Sequence, residues 1–225
     1  MKKTTAIFVT TALLLVTARG TSVVFDTFGP GDTYNRGDTG DGFIVGDIGG
    51  PITYGQGAQF TAGTTGDLET VYLGLTYFAG FSPLAVNVYL YGDVGNLPDT
   101  TNQIFLGTGS PTDVYATTNN SVVSFAVAGT VPVTMGTTYW LVLKPGAANE
   151  GDVWNAAFPI VPGIQAESIN DSNWFAHYPY LPAFRLTASN VSSVPDSGNT
   201  LLLTLGALVP LLLFQRKFVY RQAIR

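Results

Sequence analysis

Leu84-Ala85-Val86-Asn87-Val88-Tyr89-Leu90-Tyr91 alternates with a period of two. In an extended chain Val86, Val88 and Leu90 fall on one side, and Asn87, Tyr89 and Tyr91 on the other. That is the pattern of a strand with one face on a core. Val71–Ala79 (VYLGLTYFA) repeats it, with Val71, Leu73, Leu75 and Tyr77 in line. In Thr137–Lys144, Tyr139, Leu141 and Leu143 oppose Trp140 and Val142, so both faces of that strand are expected to be covered. Gln103–Leu106, Val122–Ala128, Val153–Phe158 and Ala183–Ala188 complete the predicted strands. Gly, Pro, Asn and Asp cluster between them, and nothing between Val23 and Ser189 has helical periodicity. The expected fold is all-β, a jelly-roll-like antiparallel β-sandwich.

Composition agrees. Of 225 residues 26 are Gly and 13 Pro, 12% are aromatic and only 11% charged. All 15 acidic residues lie between Asp26 and Asp196, where the nearby cations are Arg19, Arg36, Lys144 and Arg185. Four cations against 15 acids leave this middle part at −11, with the other basic residues at the chain ends. Such a surface is unsuited to nucleic acid, which demands a basic face. There is no Cys, which removes thiolate nucleophiles, Cys-based zinc sites and iron–sulfur clusters.

The two ends read as address labels. Residues 1–18 have the form of a signal peptide: Lys2 and Lys3, an apolar stretch Ala6–Val16, then small residues up to Ala18, after which cleavage is expected. An uncleaved N-terminal anchor is the alternative. Near the other end Leu201–Phe214 is apolar on nearly every side, unlike a surface helix. About fourteen residues at ~1.5 Å each give about 21 Å, short of a ~30 Å hydrocarbon core. Flanking Arg216 and Lys217 can snorkel to complete the span. Residues 199–215 are therefore predicted as a single transmembrane helix and 216–225 as a basic cytoplasmic tail, with a buried core helix as the alternative. Residues 190–198 form a short polar linker, leaving 19–189 as the exported domain.

The linker ends in Val194-Pro195-Asp196-Ser197-Gly198. Followed by a Leu-rich helix and a basic end, it resembles the VPDSG variant of the PEP-CTERM sorting signals of bacteria, although the usual Pro-Glu-Pro is replaced. The resemblance implies recognition by an exosortase-type membrane transpeptidase, removal of the tail and delivery to the cell surface or extracellular matrix. A second resemblance rests on Phe25-Asp26-Thr27-Phe28-Gly29-Pro30-Gly31-Asp32-Thr33-Tyr34-Asn35, on Val86–Gly92 with Gly95-Asn96-Leu97-Pro98, and on Met135–Leu143. These are similar to the choice-of-anchor family of exported bacterial domains, most closely its R type. That likeness implies an extracellular β domain and carries over no catalytic residue.

Sites of chemistry are sparse. His177, the only His, lies in an aromatic stretch, and no G-x-S-x-G elbow accompanies it, so it reads as a loop imidazole and not as a general base. Paired carboxylates for glycoside hydrolysis have no motif here. Asp32, Asn35, Asp38, Asp41 and Asp47 make the densest acidic segment, and oxygen ligands on a Gly-rich loop suit Ca²⁺. Asp32, Asp38 and Asp41 are the candidate ligands, with solvated turn residues as the plainer reading. Arg36-Gly37-Asp38 is a chance tripeptide in that turn. Trp154, Trp174 and Tyr178, in a late aromatic cluster, are candidates for a sugar-stacking platform or else for core filling.

The expected protein is thus non-catalytic, exported and sorted by an exosortase. It is anchored in the membrane by one C-terminal helix before reaching the cell surface or matrix, and it needs no cofactor unless Ca²⁺. A carbohydrate-binding module, with an extracellular polysaccharide as partner, is the first alternative, and a secreted glycan hydrolase the second.

Overall fold

The computed structural model describes residues 20–35, 42–47, 49–81, 85–115, 121–147, 151–177 and 179–190. They belong to one unit, Gly20–Val191. Fourteen strands follow in chain order: β1 (Thr21–Asp26), β2 (Gly42–Gly46), β3 (Tyr54–Thr61), β4 (Gly66–Leu73), β5 (Leu75–Tyr77), β6 (Val86–Val94), β7 (Leu97–Gly109), β8 (Val123–Ala126), β9 (Pro132–Val133), β10 (Thr138–Pro145), β11 (Gly151–Asn155), β12 (Gln165–Ile169), β13 (Trp174–Ala176) and β14 (Phe184–Asn190). Among the described residues there is no helix, hence none long and apolar enough to cross a membrane. The predicted signal peptide, sorting motif, transmembrane segment and basic tail lie outside them.

The strands form two antiparallel sheets, and the sandwich expected from the period-two pattern is the observed class. One sheet has the order β1-β14-β4-β8, with β9 on β4. The other has the order β5-β11-β2-β3-β10-β6-β7, with β12 on β3 and β13 on β12. Between them lies the main core: Val71, Leu73, Phe184 and Leu186 from the smaller sheet meet Val45, Phe60, Val88, Leu90, Leu141 and Leu143 from the larger. Each such side chain, fully buried, contributes about 1.5–3 kcal/mol. Phe184 is the hub, with ring centroids 5.2 Å from Phe25, 5.7 Å from Trp154 and 6.0 Å from Phe60.

Three details depart from the expected pattern. Val71–Ala79 is two strands, because the chain leaves one sheet at Leu73 and joins the other at Leu75. Gly74 makes that corner: its amide donates to Ala183 O (2.9 Å), and its carbonyl accepts from the Asn155 amide (2.8 Å). A Cβ there would lie 2.9 Å from Ala183 Cβ and 3.0 Å from Tyr34 Cγ. Tyr91, expected outward, is buried. It does leave the main core, but β12 and β13 cover it in a second apolar layer with Trp140, Val142, Ala166 and Trp174. Finally, Trp174–Ala176, read as an aromatic loop, is strand β13.

The chain enters and leaves the sandwich at one place. Thr21 on β1 pairs with Ser189 on β14, and the two strands run antiparallel from there to Asp26 and Arg185.

Candidate functional site

The second apolar layer is the least ordinary feature of the surface, and it starts from glycines. Along β3 (YGQGAQFT) Ala58 and Phe60 join the main core, so Gly55 and Gly57 present bare backbone on the opposite face. Two indoles occupy that space. A Cβ on Gly57 would lie 3.3 Å from Trp140 Cε3 and 3.4 Å from Trp174 Cζ3. The Trp140 Nε1 donates to Asp93 Oδ1 at 2.7 Å, and Gln59 Nε2 donates to the same oxygen at 2.8 Å. Tyr91 sends its hydroxyl to Gln103 Oε1 at 2.7 Å. The Tyr91 hydroxyl and the Trp140 indole thus each reach an acceptor, as buried phenols and indoles require.

Lys144 closes the layer. Its Nζ lies 3.0 Å from Asp171 Oδ1, and 5.9 and 6.0 Å from the ring centres of Tyr89 and Tyr91. Burial works against its charge, but the hydrogen bond to Asp171 and the neighbouring Tyr91 and Asp171 outweigh it, and its pKa is raised. Burial also raises the Tyr91 hydroxyl, with Lys144 pulling the other way. Both groups hold their protons more tightly when folded. Their stabilisation is complete below the unfolded values of about 10 for Tyr and about 10.4 for Lys, and is lost as pH rises through the raised ones. Thermal unfolding followed from pH 8 to 11 is therefore expected to stay level to about pH 10 and then fall. The double variant Tyr91→Phe/Lys144→Met should fall less steeply, and an unchanged slope would exclude this cluster as the cause.

Arg185, on β14, makes the second clamp. Its guanidinium meets Asp32 Oδ1 at 2.5 Å and Asp26 Oδ2 at 3.7 Å. It lies 4.9 Å from the Tyr72 ring centre and 5.5 Å from that of Phe28. Asp32, a predicted Ca²⁺ ligand, therefore already faces a cation. The other two, Asp38 and Asp41, lie outside the described residues. Asp47 caps a different turn, its Oδ1 accepting from the Gly49 and Gly50 amides. Among the described residues no group of three or more His, Asp or Glu converges as a metal site would need.

The predicted sugar platform is corrected by burial. Trp154 is 0% exposed and inside the main core, where its Nε1 donates to Ala183 O at 3.0 Å. Trp174 is 8% exposed and packs against the Gly55–Gly57 backbone. Neither indole offers a face to a pyranose ring, and Tyr178 lies outside the described residues. Both tryptophans alternate with strand partners, and that pattern fits core filling as well as display. His177 is exposed, and its backbone amide donates to Gln165 O at 2.8 Å.

Three buried amide side chains, in two clusters, are not among the residues singled out from the sequence. Gln56 Nε2 donates to Ile44 O (2.8 Å) and Glu167 Oε2 (3.1 Å), while Gln165 Nε2 donates to Gln56 Oε1. Asn155 Nδ2 donates to Gly74 O (2.9 Å) and Thr76 Oγ1 (3.0 Å), which locks the sheet-switching corner. The alternation of Gly with Gln in YGQGAQ was the available signal: small residues on one face of a strand imply something bulky above them. These bonds position backbone and bring together no nucleophile–base pair. No protein-family model matches the chain, and no curated protein matches it.

Proposed function

We propose that this protein is an exported surface or matrix component whose β-sandwich, jelly-roll-like in its connections, is carried outside the cell and released there from a membrane-held tail. The observation that carries the reading is the tail itself: Val194-Pro195-Asp196-Ser197-Gly198, then the apolar run Leu201–Phe214, then Arg216 and Lys217. The resemblance of this order to VPDSG-type signals makes an exosortase-type transpeptidase its processing partner, and the choice-of-anchor likeness makes the sandwich its cargo. The geometry of the domain supports the same reading. Thr21 pairs with Ser189, so the first and last strands of the described domain have their outer ends side by side. The passage of one extended segment between the sheets at Gly74 supports the jelly-roll-like connectivity. Charge supports it too, since a net −11 between the ends suits a domain that stays soluble outside a membrane. With Trp154 and Trp174 buried, the carbohydrate-binding alternative has less to support it than the tail has.

The test is made in the native host with Pro195 and Asp196 both replaced by alanine. The unaltered protein is expected in the surface or extracellular fraction without its tail, and the variant in the membrane fraction at full length. Identical fractionation of the two would overturn the sorting role.

A further inference from the structure

The segment Asp171–His177 is held over the second apolar layer by one buried side chain. Trp174 is buried, and the other six residues of the segment are exposed. Among the described residues β13 pairs with β12 alone, over Trp174–Ala176. The chain on either side is pinned. Before the segment, Asn170 N donates to Thr53 O at 2.7 Å, and Thr53 N to Asn170 Oδ1 at 2.8 Å. After it, Pro179 O accepts from Gly163 N at 3.0 Å. Between these points Ser172 N donates to Ile169 O at 3.0 Å, Ser168 Oγ to Ser172 O at 3.4 Å, and His177 N to Gln165 O at 2.8 Å. The remaining tie is the ion pair of Lys144 with Asp171, whose side chain is 64% exposed. Such a pair adds little to stability.

Trp174 fills a slot whose floor is backbone. Gly55 and Gly57 leave that face of β3 without side chains, so the indole comes within 3.6 Å of where a Gly55 Cβ would stand and 3.4 Å of where a Gly57 Cβ would stand. Around the Gly57 position the walls are Trp140 Cε3 at 3.3 Å and Pro98 Cγ at 3.5 Å. The Tyr91 ring stands edge-on to Trp174, with centroids 6.3 Å apart. The space is that of one planar ring, received by aromatic and backbone surfaces. Opening the segment exposes this ring and little else, because six of its seven residues already face solvent. We propose that Asp171–His177 opens as a flap by itself, and that the open slot binds a planar aromatic ring of another molecule in place of Trp174. The present occupant sets the ligand class: the ring is flat, uncharged and about the size of an indole. Such a ligand must displace the chain's own ring, so its affinity is reduced by the fraction of molecules with the flap open.

The experiment follows hydrogen exchange of the full chain in detergent, peptide by peptide, by mass spectrometry. The β13 and His177 amides are expected to exchange about a hundred-fold faster than those of Trp140–Leu143, and Lys144→Met to speed them about three-fold further. Flap exchange as slow as that of Trp140–Leu143 overturns the proposal, because the segment then opens only with the whole domain. Free indole is the probe of the slot, titrated by calorimetry. Trp174→Ala is expected to bind it about ten-fold more tightly than the unaltered chain, or tighter still, since no ring has to leave first. Equal binding by the two chains, or none by a variant that still melts cooperatively, overturns the slot. Should Trp174→Ala not fold, Lys144→Met decides: indole must speed exchange of its flap, and an unchanged rate overturns the slot as well.

Discussion

Replacing Trp154 by alanine is expected to cost the domain about 3–5 kcal/mol, about a fifth or more of the stability of an ordinary domain. The indole is 0% exposed, lies 5.7 Å from the Phe184 ring and donates to Ala183 O. Its removal leaves a cavity where the two sheets meet, and strands hydrogen-bonded on both sides cannot collapse into it. The Ala183 carbonyl is less affected, because it still accepts from the Gly74 amide. Urea unfolding followed by circular dichroism should show the midpoint shift with an unchanged slope. Trp154→Phe should cost clearly less, because a ring still fills most of the space. A cost near zero for Trp154→Ala would mean that the indole is on the surface, and would return it to the list of possible sugar contacts.

Gly74→Val is expected to cost about 3 kcal/mol, the upper part of the range for overpacking a core. The corner cannot move aside. Its amide and carbonyl are held by Ala183 and by both the backbone and the side chain of Asn155, while the new Cβ would crowd Ala183 and Tyr34. Thermal melting compares it with Gly95→Val on the exposed β6–β7 turn, where φ is +61° but nothing lies within 4 Å of the added Cβ. Gly95→Val meets backbone strain alone, so its cost should be smaller. Equal losses would contradict crowding at the sheet switch as the larger of the two costs.

The parts of this fold legible in sequence are those where one physical cause acts alone. Val86, Val88 and Leu90 alternate because one side of their strand faces a core, and the core is where they lie. Trp140 against Leu141 announced a strand covered on both faces, as it is. Elsewhere two causes compete. Tyr91 carries a hydroxyl, which suggests solvent, yet β13 brings Trp174 over it from far along the chain, and no local pattern reports that. In Val71–Ala79 the period of two runs through Gly74 undisturbed, because Leu73 and Leu75 are both buried although they belong to different sheets. The strands β2, β3 and β12 were missed since Gly and Gln dilute their apolar count.

Site residues were harder still. Composition presents Asp32 as one acid among several in a Gly-rich segment, whereas tertiary folding sets it against Arg185 from the opposite end of the domain. Trp154 and Trp174 cluster in sequence as a platform would, but burial decides between display and packing, and burial is a property of the other strands. The tail differs in kind: the proposal for it rests on the order of polar motif, apolar run and basic end, which is local to the sequence.

That order is most directly tested by the intact mass of the protein recovered from the outside of its native cells. A chain that begins at Arg19 and lacks the apolar run from Leu201 onward is the predicted species. A full-length chain from Met1 to Arg225, recovered from the cell interior, would contradict the account.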